Sequence, residues 1–214
     1  MKIVGIGAGG HAKVLVDIAR QMPGFELVGL LDADEEKWGT VVMGLPVLGD
    51  EGRLGDLDVD GAFIAIGGVP SNRVRRRAFE RVRAAGLPVV SLVHPSAVVA
   101  ESALLGEGVM ILAGSVVNPE AVLGDGVIVN TRAVVEHDCG IEPFVHVCPG
   151  SVLGGGVTVG EEAFIGLGAS VIQGVRIGTR AVVGGGSVVV RDLPDGVLAM
   201  GCPARIVREI GGHV

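Results

Sequence analysis

The sequence predicts a small α/β unit followed by an all-β parallel β-helix. Three observations carry the prediction. An aliphatic residue recurs at every sixth position from Val93 to Val189 without a slip. The chain opens on a strand, a glycine-rich loop and a helix-period segment. Glycine is abundant, 37 of 214 residues, with no period of three, which signals many tight turns and excludes collagen. The length suits one large domain or two small ones. The patterning divides the chain into 1–92, a Rossmann-like half domain, 93–194, the solenoid, and 195–214, a C-terminal extension.

The α/β unit is read element by element. Lys2–Ile6 is a buried parallel strand. Gly5-Ile6-Gly7-Ala8-Gly9-Gly10 satisfies GxGxxG, and 11–22 follows with helical spacing (Val14, Leu15, Ile18, Ala19) until Pro23-Gly24 stops it. Glu26–Leu31 is a second strand ending in Asp32. A third, 61–66, ends in Gly67-Gly68. Residues 71–85 form a helix with Ser71 or Asn72 as cap and Gly86 beyond its end. A last strand, 88–93, feeds the repeat. Strand–helix alternation gives a parallel sheet with ligand at the strand ends. Gly9, Gly10, His11, Asp32 and Gly67 then share one edge. GxGxxG with an acid about 20 residues on suits NAD, but a unit of about 90 residues is half a dinucleotide fold and suits a mononucleotide diphosphate better. A glycine turn serving only helix–sheet packing is the plain rival. Arg73, Arg75, Arg76, Arg77, Arg81 and Arg83 read as a solvated helix face; Arg73, in the first turn, is positioned to reach a phosphate.

In the second half, seventeen consecutive hexads each begin with Val, Leu or Ile, a run beyond chance at ordinary aliphatic frequencies of roughly a quarter. Four residues after each sits a small or β-branched residue, from Ala97 to Ser187. Glycine often follows the aliphatic directly, as at Gly106, Gly124, Gly154, Gly160, Gly166, Gly178 and Gly184, where a positive φ is expected. Period six fits neither a helix face nor a heptad. Each hexad is a short strand plus a turn, three make one triangular coil, and stacked coils bury a core that no single repeat builds. A purely structural rod is the rival reading, so the outward residues decide.

Outside the coil, Glu136-His137-Asp138 follows Val135, with His146 nine residues on and Asn130 nearby. A histidine flanked by acids on a rigid rung suits a general base, because the carboxylate fixes the tautomer and stabilises the imidazolium. A surface histidine with fortuitous neighbours is the plain alternative. Metal is disfavoured: a catalytic zinc needs about three protein ligands, and no close His-x-x-x-x-His pair occurs. Cys139, Cys148 and Cys202 contain no CxxC, which suits a reduced, cytoplasmic protein, and no nearby cation in sequence supports a thiolate nucleophile. A net charge of −7 and six aromatic residues, none Tyr, argue against nucleic-acid binding. No apolar run approaches the roughly 18 residues of a membrane span.

Gly7-Ala8-Gly9-Gly10-His11, Leu30-Leu31-Asp32, Gly44-Leu45-Pro46-Val47-Leu48-Gly49, Val93-His94-Pro95, Asn130-Thr131, Glu136-His137-Asp138, Gly184-Gly185-Gly186 and Gly201-Cys202-Pro203-Ala204 form an ordered set. The set resembles the sialic-acid and bacillosamine-type sugar O- and N-acetyltransferases. The resemblance implies a left-handed β-helix, a homotrimer and direct transfer from acetyl-CoA to an amine or hydroxyl of a UDP-amino-sugar or sialic-acid-like acceptor. It implies His137 as base, Asp138 as its orienting acid and His146 beside the acetyl-CoA thioester. Backbone at Gly155, Leu167 and Gly185 would line the CoA groove. Gly9, Gly10, His11, Asp32, Gly67 and Asn130 would serve the acceptor. Two positions depart: Ala33 follows Asp32 where the family commonly has a second Asp, and Asp138 is shorter than the Glu of some members. The competing expectation is an NAD- or nucleotide-binding module on a non-catalytic, trimerising β-helix.

Overall fold

The structure, a computed structural model, describes residues 1–68 and 72–210. In the α/β unit, β1 (Lys2–Ile6) lies between β2 (Glu26–Leu31) and β5 (Gly61–Ile64), all parallel. α1 (Gly10–Gln21) buries Ala12, Leu15, Val16, Ile18 and Ala19, the stripe its spacing requires. Between β2 and β5 the chain adds a 3₁₀ turn (Glu35–Lys37), a hairpin of β3 (Val41–Val42) and β4 (Leu45–Pro46), and a second 3₁₀ segment (Glu51–Asp56). β5 is shorter than the expected 61–66. α2 (Arg73–Ala84) begins at Asn72, which gives no side-chain cap; its amide donates instead to the Glu162 carbonyl of the solenoid at 3.0 Å. Ser71 lies outside the described residues.

The expected strand 88–93 is divided. Val89 bridges Ala62 in the α/β sheet, and β6 (Leu92–Val93) starts the solenoid by pairing with Met110 and Ile111. The chain leaves one sheet for another there, so one continuous strand is impossible.

Two-residue strands from β6 to β22 (Val188–Val189) stack in three parallel sheets with an 18-residue register, as in Val116↔Val134↔Val152. The inward aliphatics are buried from Ile111 to Val189. Val93 and Val99 are only partly covered and Leu105 is 38 % exposed, because an end coil has a neighbour on one side only. At the other end β23 (Val197–Gly201) pairs with the rung at Val182–Val183, and β24 (Ala204–Glu209) returns antiparallel.

The glycine expectation needs correction. Positive φ occurs three residues after the inward aliphatic, at Gly126, Gly150 and Gly174, but also at Glu120, Arg132 and Asp138. The glycine directly after the aliphatic is there for space. A Cβ on Gly154 would stand 2.7 Å from the Gln173 amide nitrogen one coil on. Neighbouring coils approach closest at those corners.

The outward side of the sheet containing Leu92, Met110 and Ile128 is buried under the α/β unit, in one cluster with Leu15 and Val16. α2 docks beside it. Its arginines are therefore not a free solvated face: Arg75 is 2 % exposed, Arg76 pairs with Glu161 and Glu162, and Arg83 lies near Glu107 and Asp125. Carboxylates remote in sequence supply the partners. Among the described residues no helix is long and apolar enough to cross a membrane.

Candidate active site

The ends of β1, β2 and β5 open onto a cavity of about 410 Å³ lined by Gly9, Gly10, His11, Asp32 and Gly67, together with Lys37, Gly68 and His146. No atom lies within 4 Å of a Cβ built on Gly9 or Gly10, so the loop leaves room for a ligand at the N-terminus of α1, where free amides and the helix dipole suit a phosphate. The Asp32 carboxylate is already engaged. It accepts from the Ala8 amide at 2.7 Å, the Asp34 amide at 3.0 Å and Lys37 Nζ at 3.1 Å. Burial opposes its ionisation, but those amides and Lys37 outweigh it and hold the carboxyl below its ordinary value. Asp32 thus clamps the glycine loop, and Lys37 is the cation beside the cavity. Sequence reasoning missed Lys37, because no motif marks a lysine in a short 3₁₀ turn.

His146, on the rung His146–Val147, closes the cavity from the solenoid side and is 5 % exposed. Its Nε2 meets Asn130 Nδ2 at 2.9 Å. Its ring lies 6.4 Å from that of His11 and 5.3 Å from that of Phe164. Burial, then Arg75 and His11, push its pKa well below the usual value, against a hydrogen bond with the Gly68 backbone that favours the charged ring. Burial and Arg75 push His11 down to about 4.

His137 stands elsewhere, at the corner after the rung Val134–Val135. Its side chain is 62 % exposed, and Nδ1 pairs with Asp138 Oδ2 at 2.6 Å. That hydrogen bond, with the charges of Asp138 and Glu136, raises its pKa against an opposing desolvation. With Nδ1–H donated to the carboxylate, Nε2 is left as the basic atom. Gly155 is stacked one coil on, and a Cβ there would come within 2.6 Å of Nε2. Leu167 and Gly185 form a second corner column, where Gly186 N–H donates to the Leu167 carbonyl. The two columns flank one sheet whose outward positions are Val98, Val116, Val134, Val152, Ser170 and Val188. Within one chain, then, His146 lines the cavity and Asn130 reaches it only through His146, whereas His137, Asp138, Gly155, Leu167 and Gly185 surround a separate open face. Cys139 and Cys148 are buried with raised pKa values, Cys148 to about 12. Among the described residues no three His, Cys, Asp or Glu side chains are gathered in a way that could hold a metal ion.

A period-six solenoid with an acid-paired histidine on its wall and a glycine-loop α/β unit on its flank is the architecture implied by the resemblance to the sugar acetyltransferases. The PglD N-terminal domain family matches residues 2–82. UDP-N-acetylbacillosamine N-acetyltransferase of Bacillus subtilis is 40 % identical over 115 residues, a match covering 50 % of this chain and 50 % of that relative. The chain thus spans about half the length of that curated relative. Over the whole chain, a histidine variant of perosamine N-acetyltransferase from Caulobacter crescentus, in complex with CoA and GDP-perosamine, is 44 % identical, covers 98 % of each chain and superposes with a TM-score of 0.92. The acetyltransferase domain of PglB from Neisseria gonorrhoeae, in complex with acetyl coenzyme A, is 39 % identical over 96 % of this chain and 98 % of that one, with a TM-score of 0.89. The chain belongs to the family of these sugar N-acetyltransferases.

Proposed function

We propose that the protein transfers the acetyl group of acetyl-CoA directly to the amine of a nucleotide-linked amino sugar, with His137 as general base. The observation that carries the reading is the His137–Asp138 pair at 2.6 Å, beside the close-approach glycine Gly155. The amine attacks the thioester carbonyl, and His137 Nε2 takes the proton released as the C–N bond forms. The Gly155 amide stabilises the tetrahedral oxyanion. The C–S bond then breaks, and the thiolate of CoA leaves with a proton from the imidazolium. General-base help of this kind contributes about 10²–10⁴-fold. An amine acceptor is preferred to a hydroxyl because the relatives are N-acetyltransferases. Gly9, Gly10, His11 and Gly67 hold the nucleotide-sugar, and backbone at Gly155, Leu167 and Gly185 holds CoA.

The assembly is proposed to be a homotrimer. A base that is 62 % exposed lacks the water-excluded surroundings acyl transfer needs, and the outward valine sheet between the two corner columns calls for a covering surface. Three copies closed around an axis bring one subunit's cavity to a neighbour's His137. The functional division is 1–92 for the acceptor, 93–194 for catalysis and 195–214 as a C-terminal extension, and the setting is the cytoplasm. The rival, a nucleotide-binding module on a non-catalytic β-helix, has no support from relatives that are acetyltransferases crystallised with CoA. The deciding experiment follows acetyl-CoA consumption over GDP-perosamine, UDP-linked amino sugars and free sialic acids. Turnover with a nucleotide-linked amine is expected; consumption with none of them, in protein that binds acetyl-CoA, rejects the reading.

A further inference from the structure

The most buried charged side chain among the described residues is an arginine. Arg75 comes from α2 and reaches the solenoid, where Nη2 donates to the carbonyls of Phe144 and Val145. Among the described residues no carboxylate pairs with it, and its Nε and Nη1 have no partner. Burial lowers its pKa to about 9, with Cys148 and Glu162 opposing, so it stays charged at neutral pH. A Cβ on Gly68 would lie 3.4 Å from Arg75 Nη1, 3.1 Å from His146 Nδ1 and 2.2 Å from Asn72 Oδ1. Three buried side chains therefore converge on one point of the cavity wall.

The other edge of His146 has a determined polarity. The Thr131 amide donates to Asn130 Oδ1 at 2.8 Å, and a backbone N–H donates only. Asn130 Nδ2 therefore faces His146 Nε2 at 2.9 Å as donor, and Nε2 accepts. The proton of a neutral ring then sits on Nδ1, toward Gly68. An imidazolium would set N–H against N–H at Asn130 and place a second positive charge beside Arg75. The charged and titratable groups around the ring are Arg75 on α2, His11 on α1, Cys148 two residues on and Glu162 before the next rung; of these the carboxylate of Glu162 is committed to Arg76.

We propose that Arg75 is a positioning residue which, with the Thr131–Asn130 chain, keeps His146 a neutral hydrogen-bond donor directed at the Gly68 backbone in the wall of the nucleotide-sugar cavity. His146 then fixes the Gly68 end of the cavity wall against the solenoid and carries no proton through the reaction. Two histidines with oppositely shifted environments divide the work, His137 as base and His146 as donor. The protonation state of His146 is independent of the proposed reaction; its effect on turnover rests on that reading.

The test is ¹⁵N NMR of the full chain labelled at histidine, over about pH 5 to 8, with His146 assigned from His146→Gln. The expected signal has a protonated Nδ1 and a bare Nε2 that do not change across the range. In Arg75→Met, His146 should begin to titrate within it, whereas Arg75→Lys, which keeps the charge, should restore the neutral ring. Asn130→Asp should move the proton to Nε2, and this arm stands even where Arg75→Met fails to fold. kcat should fall about 10- to 100-fold in Arg75→Met, less than the roughly 10⁴-fold of a mis-tautomerised triad. KM for acetyl-CoA should hold, and the loss should vanish in a His146→Gln background. A folded Arg75→Met protein whose His146 remains neutral and Nδ1-protonated overturns the proposal, as does an Asn130→Asp protein with an unmoved proton. These spectra are read without substrate, so an incorrect acceptor assignment leaves them decisive.

Discussion

His137 and Asp138 occupy consecutive corner positions, and the second has φ of 60°, a conformation Asp tolerates better than most residues. The base is neutral only above its raised pKa, so kcat/KM should fall as pH drops through that value. Asp138→Asn removes the largest raising cause and should move this acid limb to lower pH while lowering the plateau; a limb that stays in place rejects the pairing. His137→Ala should lower kcat by about 10²–10⁴-fold with little change in acetyl-CoA affinity, because the loss is confined to the transition state. Retained turnover there, with loss in His146→Ala, would reverse the two roles. His11 gives a separate prediction in stability. The unfolded chain takes up its proton near 6.5 and the folded chain near 4, so the unfolded state binds more protons between those values. Stability should fall as pH drops through that window, by up to about 3 kcal/mol from this group. His11→Gln should flatten the dependence of the urea midpoint on pH, and an unaltered slope would refute the assignment.

At the scale of one element, the hexad uses two glycine positions for different reasons. Gly154 sits where the backbone of the next coil passes within 2.7 Å of a would-be Cβ. Gly174 has φ of 70° and open space around it. Gly154→Ala should therefore cost about 1–3 kcal/mol, as overpacking does. Gly174→Asn should cost well under that, since Asn visits the left-handed region. Urea titration of both variants checks the contrast, and equal costs would reject the division. The helix α2 shows the same dependence on surroundings. Its arginines fall on a helical period that reads as a wet face, yet Arg75 and Arg76 insert into the seam with the solenoid, where backbone carbonyls and Glu161–Glu162 receive them.

At the scale of the whole molecule, one wall of the solenoid is covered by the chain's own α/β unit and another exposes an aliphatic column, with Val98 62 % and Val152 39 % exposed. Light scattering at micromolar concentration should give three times the chain mass. Val134→Asp with Val152→Asp should yield monomers that have lost turnover but keep nucleotide-sugar binding, because the cavity lies within one chain. A fully active monomer would exclude a shared site.

The sequence alone determined the solenoid, because a period-six aliphatic pattern admits one packing solution, an inward residue on every rung. It also determined the β1 and β2 spans, placed α1 to within one residue at each end, and marked the Gly9–Gly10–His11 loop and the His137–Asp138 pair, whose contacts are between near neighbours in the chain. It left open what any contact between remote residues would be. The commitment of Asp32 to Ala8 and Lys37, the burial of Arg75, the Asn130–His146 bond and the joining of His146 to a cavity made by the other unit all depend on how the α/β unit seats on the solenoid. That seating brings together residues up to about 90 positions apart, as in the Asn72–Glu162 bond. Local periodicity contains no term for such distances, so only the tertiary structure decides which histidine is exposed and which is buried.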